Sequence, residues 1–298
     1  MSTEPLRFVL LGHPLGHSLS PAIHQRAYAE LGLPHRYDLC DVPDEAAVKR
    51  QLELLRQGHF AGMNVTVPWK RLALQLADRV DPLAAQVGAA NVLMCDGEGL
   101  LTAHNTDVLA LAEEFASYAP APRAASVIGN GGAALAAVAA LRKLGVRECW
   151  VTARAFALSH APESWPHAEQ LRTLGARGLA WPDEPAAALA WKDCVSQSQV
   201  IVQATSAGMR GVDSGALLAE RVPWAAVPAH SLAYDVVYNP AVTPFLQSAR
   251  AAGLVAVGGL GMLVGQAAHA FELWLGLRAP RVAMQEAAES ALAGRAER

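Results

Sequence analysis

Short apolar runs that end in glycine, proline or hydroxyl-rich turns recur along this chain, separated by longer stretches of helical period. Arg7–Leu11 reads as a buried strand. It stops at Gly12-His13-Pro14-Leu15-Gly16-His17-Ser18-Leu19-Ser20-Pro21, and Pro21 suits the first turn of a helix to about Leu31, with Ser20 as its cap. Arg36–Asp41 predicts a second strand, and a helix follows from about Asp44 to Gln57. Between Phe60 and Lys70, alternation through Met63, Val65 and Val67 predicts a strand whose other face carries Asn64 and Thr66. Pro68 ends its pairing and Lys70 opens the next helix. Ala89–Met94 predicts another strand, Gly97–Gly99 a hairpin-like turn, and Leu101–Asp107 a lead into a helix from Val108 to about Ser117.

In the second half, Ala125–Ile128, Glu148–Thr152, Val200–Thr205, Leu232–Val237 and Leu254–Val257 read as buried strands. Helical pattern covers the run up to Lys143, part of Phe156–Gly175, Thr243–Ala252, Met262–Leu275 and Val282–Leu292. This alternation implies an α/β protein with a parallel, doubly wound sheet. Such sheets bind ligands beyond the carboxyl ends of their strands. The turns Ser206-Ala207-Gly208-Met209 and Tyr238-Asn239-Pro240 lie there.

One stretch carries specific chemistry. After Ala125–Ile128 comes Gly129-Asn130-Gly131-Gly132-Ala133-Ala134, and the spacing of Gly129, Gly131 and Ala134 fits the G-x-G-x-x-G/A fingerprint of a dinucleotide site. Gly129 permits the tight turn, Gly131 lets backbone approach a pyrophosphate, and Ala134 keeps helix and strand close. The N–H groups that open the helix would face the phosphates. The next strand ends at Ala153-Arg154, with no acid in 152–159. An acid there serves the ribose 2′-hydroxyl of NAD, whereas an arginine serves the 2′-phosphate of NADP. Arg154 therefore points to NADP.

Composition narrows the class. The 298 residues are 52% hydrophobic and 17% charged, which suits a folded chain long enough for two domains. A net charge of −3 without a Lys/Arg run argues against a nucleic-acid partner. Cys40, Cys95, Cys149 and Cys194 are scattered, with no C-x-x-C, so reduced thiols in a cytoplasmic protein are expected rather than disulfides or a metal site. The uncharged windows Ala124–Leu141 and Ala251–Phe271 split into strand, turn and helix, so no membrane span is expected. The run after Arg7 is too short for a signal peptide.

Taken singly, the remaining polar residues have plain readings. Ser18 and Ser20 shape a turn, or their hydroxyls bind a carboxylate beside a helix N-terminus. Lys70 opposes the macrodipole of the helix it opens, which mildly favours a functional reason, while a solvated surface position is the usual reading of any single lysine. Asp107 complements a helix dipole or takes part in catalysis. His104 reads as structural.

Together the motifs resemble the shikimate dehydrogenase family, from Gly12 to Gly276. The matching stretches are Gly12–Pro21, Asn64–Lys70, Ala90-Asn91, Asn105-Thr106-Asp107, Gly129–Ala133, Ala204–Met209, Asp235–Pro240 with Thr243-Pro244, and Gly261–Gly276. The resemblance implies two domains. An α/β substrate domain would span 1–107 plus 262–298, and a Rossmann-like NADP domain 108–261. The implied reaction is reversible reduction of the keto group of 3-dehydroshikimate by NADPH, a step of aromatic amino acid biosynthesis. Ser18 and Ser20 would hold the substrate carboxylate. Asn64, Thr66, Asn91, Asp107 and Gln266 would bind ring hydroxyls, and Tyr238 would lie near substrate and nicotinamide. Lys70 and Asp107 would form the catalytic couple, facing each other across a gap between two lobes. Gly129, Asn130, Gly131, Gly132, Ala133, Arg154, Thr205, Ser206, Gly259 and Met262 would hold the cofactor.

The chemistry is consistent with that assignment. Reduction of a carbonyl leaves negative charge on its oxygen, so a proton donor and positive charge must be in place. An unperturbed lysine titrates near about 10.4, so work near neutrality requires local tuning or strong Lys–Asp coupling.

The chain departs from the family pattern at several points. The NADP loop often reads Asn-Arg-Thr with another arginine beyond; here it is Ala153-Arg154-Ala155 with no second arginine through Ala161. That implies a weaker NADP preference. Gln203 stands where Asn is frequent, Gly258-Gly259 where Asp-Gly or Asn-Gly is common, and His104 and Val108 flank the Asn-Thr-Asp motif with less usual side chains. The alternatives are a quinate/shikimate or amino-shikimate dehydrogenase with relaxed cofactor choice, and a non-catalytic NADP or metabolite sensor. A homodimer is left open.

Overall fold

The structure is a computed structural model that describes residues 4–16 and 18–296, so His17 of the first motif lies outside the described residues. Its first elements are β1 (Arg7–Gly12), α1 (Ser20–Glu30), β2 (Arg36–Asp41), α2 (Glu45–Arg56), β3 (Gly62–Val65) and α3 (Lys70–Gln75). Then come β4 (Arg79–Val80), α4 (Pro82–Val87), β5 (Val92–Cys95), β6 (Leu101–His104) and α5 (Asp107–Tyr118). They are followed by β7 (Ala124–Ile128), α6 (Gly132–Lys143), β8 (Glu148–Thr152), α7 (Ala168–Thr173), β9 (Arg177–Leu179), α8 (Pro185–Val195) and β10 (Val200–Gln203). The chain closes with α9 (Ala216–Glu220), β11 (Leu232–Asp235), α10 (Pro244–Ala251), β12 (Val255–Gly258), α11 (Leu260–Leu275) and α12 (Arg281–Ala296). Two compact units result, Met1–Ala110 with Val264–Arg298, and Leu111–Leu263; the divisions fall within α5 and α11.

The first unit holds a six-stranded mixed sheet in the order β2-β1-β3-β5-β6-β4. β1 pairs in parallel with β2 and β3, whereas β3–β5 and β5–β6 are antiparallel. Val9, Leu11, Val48, Leu52, Met63 and Leu93 share one core cluster. Each such side chain, fully buried, contributes about 1.5–3 kcal/mol relative to exposure. A second, aromatic layer joins Phe8, His24, Tyr28, Tyr37, Phe271 and Trp274, with the His24 and Tyr37 rings stacked 4.1 Å apart. His24 is fully buried and neither ring nitrogen has a hydrogen-bond partner. Burial lowers its pKa to about 3.

Two local expectations fail here. Ser20 does not cap α1: it is the first helical residue, and its own N–H donates to Ser18 Oγ at 3.2 Å. The strand through Met63 and Val65 stops before Val67, which is 68% exposed. Pro68 offers no N–H for a further rung and restricts the residue before it. Thr66 N still donates to the Leu11 carbonyl at 2.8 Å, and the Val67 carbonyl accepts from His13 N at 3.1 Å just beyond β1.

The second unit holds six parallel strands in the order β12-β11-β10-β7-β8-β9. Numbered from β7, this is the 3-2-1-4-5-6 order of a doubly wound dinucleotide fold, and strand order reverses between β7 and β10. Ile128, Trp191, Ile201, Ala233, Phe245 and Leu246 build its core. No helix among the described residues is long and apolar enough to cross a membrane.

Candidate active site

Strand direction explains why distant residues of the first unit gather on one edge. β1 and β3 run in parallel as neighbours, so the loops to Ser18 and Ser20 and to Thr66 and Lys70 leave the same side. β5 runs against β3, which brings Asn91, just before its first residue, to that side. β6 reverses again and delivers Asn105, Thr106 and Asp107 beyond its carboxyl end.

The centre of this edge is an ion pair. Lys70 Nζ donates to Asp107 Oδ2 at 2.6 Å, with the two side chains 22% and 6% exposed. Both residues belong to the first unit, so they face each other inside it rather than across a gap between lobes. Asn91 fixes the carboxylate: Nδ2 donates to Asp107 Oδ1 and to Thr106 Oγ1, both at 2.9 Å, while Oδ1 accepts from Thr106 N at 2.8 Å. Both Asn91 amide hydrogens thus serve bonds within the chain, and the side chain acts on Asp107. The backbone carries the same network onward. Ala90 N donates to the Lys70 carbonyl at 2.9 Å, and Thr106 Oγ1 donates to the Gln266 carbonyl at 3.1 Å. Asn64 Nδ2 reaches the Asn91 carbonyl at 3.2 Å, and Tyr37 Oη donates to Asn64 Oδ1 at 2.6 Å.

Lys70, Asp107, Asn91, Asn64 and Gln266 are thereby joined, and Thr66, Ser18 and Ser20 lie on the same edge. Sequence reasoning alone misses Tyr37 and Thr106, though Tyr37 occupies an inward position of β2 and Thr106 sits inside a matched motif. His104 lines a pocket of about 290 Å³ with Asp81, His269 and Glu272, and neither Lys70 nor Asp107 lines it. Burial lowers the His104 pKa against the opposing pull of Asp81.

In the second unit, the glycine turn follows β7 at the reversal of strand order. Gly129 has φ +128°, and a Cβ there would come within 2.7 Å of the Ala204 carbonyl oxygen. Only glycine meets both demands. Gly131 precedes the first turn of α6, and a Cβ on it would meet nothing within 4 Å, as on Gly132. The first N–H groups of any helix lack intrahelical partners, so this open end of α6 is suited to an anion. Asn130 and Ala133 flank that opening, and Ala134 is buried against the sheet. Arg154 is exposed in the turn after β8. Thr205 and Ser206 follow β10, Tyr238 follows β11, and Gly259 follows β12, all beyond carboxyl ends. Met262 lies in the first turn of α11. Close by, Tyr234 Oη donates to Glu114 Oε2 at 3.3 Å, and burial raises the Glu114 carboxyl.

The fold thus defines a two-unit α/β protein whose second unit is Rossmann-like. A family model described as the shikimate dehydrogenase substrate binding domain matches residues 10–93, and one described as the shikimate 5′-dehydrogenase C-terminal domain matches 259–289. A shikimate dehydrogenase (NADP(+)) of Methylobacterium radiotolerans is 38% identical over 288 residues, covering 95% of either chain. Shikimate 5-dehydrogenase of Thermus thermophilus, solved in complex with NADP(H) and shikimate, superposes with a TM-score of 0.80 at 35% identity, over 96% of this chain and 100% of that one. Quinate dehydrogenase of Corynebacterium glutamicum, solved with NAD, gives a TM-score of 0.79 at 28% identity, over 96% and 100%. The chain belongs to the shikimate dehydrogenase family.

Proposed function

We infer that this chain catalyses the reversible NADPH-dependent reduction of 3-dehydroshikimate to shikimate, with Lys70 and Asp107 as the proton-transfer couple. The observation that carries the reading is the 2.6 Å contact of an ammonium with a nearly buried carboxylate, in a chain with a NADP-dependent relative at 38% identity. A sensor that bound without chemistry would have no need of that pair.

The residues suit the cofactor. Gly129, Asn130, Gly131, Gly132 and Ala133 offer its diphosphate a glycine turn and an open helix end, and Arg154 offers its 2′-phosphate a guanidinium. Thr205, Ser206, Gly259 and Met262 complete the proposed set. When bound, NADPH supplies the hydride. Lys70 Nζ holds the proton that the ketone oxygen needs as negative charge develops, and its own charge stabilises that oxygen. Asp107 Oδ2 keeps Nζ in place, and Asn91 keeps Asp107 in place. In the reverse direction Lys70 Nζ receives the proton of the substrate hydroxyl. Ser18 and Ser20 are assigned the substrate carboxylate. Asn64, Thr66, Asp107 and Gln266 are assigned ring hydroxyls, with Asn91 acting through Asp107 in this conformation, and Tyr238 is assigned to the substrate and nicotinamide side. Four cysteines without disulfides support a cytoplasmic setting.

Lys70→Ala tests the couple. Turnover of shikimate should fall by about a hundredfold or more, with NADPH and shikimate binding largely kept and the melting temperature measured alongside. Near-normal turnover removes Lys70 from the mechanism.

A further inference from the structure

We propose that Asp235, with Gln203 and Thr243, is a positioning hub that holds the loops after β10 and β11 in the shape that receives the cofactor. The inference rests on the cofactor reading above and adds to it residues that touch no ligand. Asp235 ends β11 and Gln203 ends β10, and both are wholly buried. Asp235 Oδ1 accepts from Val237 N at 2.9 Å and from Gln203 Nε2 at 3.2 Å, while Oδ2 accepts from Thr243 Oγ1 at 2.6 Å. Gln203 in turn grips its own loop from both sides. Nε2 donates to the Ala207 carbonyl at 2.9 Å, and Oε1 accepts from Thr205 N at 2.5 Å.

Two side chains therefore tie together the loop that carries Thr205 and Ser206 and the loop that carries Tyr238. Thr243 closes the second loop onto its helix, its Oγ1 accepting from Leu246 N at 3.3 Å as the cap of α10. The loops also meet directly. Arg210 N donates to the Asn239 carbonyl at 3.0 Å, and Gly259 N donates to the Val237 carbonyl at 3.1 Å. A Cβ on Gly259 would fall 2.1 Å from the Val236 carbonyl oxygen, so the start of α11 is seated on the same loop.

Stability alone does not account for a carboxylate here. None of the groups bonded to Asp235 is a cation, and a buried carboxylate without one is costly. Burial accordingly pushes its carboxyl up to about 7. What the carboxylate supplies is three acceptor positions at one point, each used by a different segment. An amide in its place keeps one acceptor oxygen and presents N–H groups where Thr243 or Gln203 now donates. The hub is therefore expected to loosen under isosteric substitution while the strands persist.

The test combines NADPH titration by fluorescence with steady-state kinetics for Asp235→Asn, Thr243→Val and Thr243→Ser, well below each melting temperature. Asp235→Asn and Thr243→Val should weaken NADPH by about tenfold, the scale of a lost hydrogen bond to a charged group. Shikimate binding without cofactor should fall by less than NADPH binding, because Tyr238 alone of the proposed substrate residues lies on these loops, and Thr243→Ser, which keeps the hydroxyl, should restore NADPH affinity. Unaltered NADPH affinity in Asp235→Asn and Thr243→Val overturns the hub, as does an equal loss of shikimate binding. The unmodified protein is titrated first: absence of NADPH binding there overturns the cofactor reading and the hub together.

Discussion

Lys70 and Asp107 illustrate how a charge disfavoured locally is supported by its tertiary partner. An ammonium at the first position of α3 opposes the helix dipole, and a carboxylate at the first position of α5 is favoured by it. The 2.6 Å contact places the unfavourable charge on the favourable one. Sequence displays the oddity of Lys70 but not its partner 37 positions away. The partner follows from the motif resemblance, and the expectation of a gap between them fails because antiparallel β5 and β6 return Asp107 to the edge that β3 feeds. Arg154, exposed in the turn after β8, is the residue we propose to read the 2′-phosphate. Arg154→Ala should weaken NADPH by about tenfold or more and leave NADH nearly unchanged, read from the two dissociation constants. Equal losses for both cofactors would show that Arg154 does not read the 2′-phosphate.

At the level of elements, helix α1 contains a histidine that its sequence gives no reason to question. His24 stays neutral in the folded chain down to about pH 3, whereas an unfolded histidine binds a proton below about 6.5. Between those values the unfolded state carries more protons, so stability falls as pH falls, at up to about 1.4 kcal/mol per unit. His24→Phe keeps a ring against Tyr37 and removes the titration. Denaturant unfolding at pH 7 and pH 4.5 should show a smaller acid loss in the variant; an unchanged loss would assign acid sensitivity elsewhere. Long apolar or amphipathic elements are legible in the sequence, and the bounds of β2 and β8 match it to the residue. Short elements are not legible. β4 has two exposed residues and β9 has three, two of them exposed, so neither presents a period to detect. Ser20 has the look of a cap because hydroxyls before proline usually are; here Ser18 supplies the acceptor two residues earlier.

For the whole molecule, the order of motifs carries more information than any one of them. Two units with different sheets emerge from one alternating pattern, because alternation of strand and helix does not distinguish the mixed sheet of the first unit from the parallel sheet of the second. The hydrogen-bond hub at Asp235 is likewise hidden, since its members are separated by 32 and 8 positions and only Asp235 and Thr243 fall inside a matched stretch. Substrate choice is a property of the assembled enzyme, and one assay addresses it directly: initial rates with shikimate and with quinate, each with NADP⁺ and with NAD⁺. The highest kcat/KM is expected for shikimate with NADP⁺. Faster quinate oxidation with NAD⁺ would contradict that expectation.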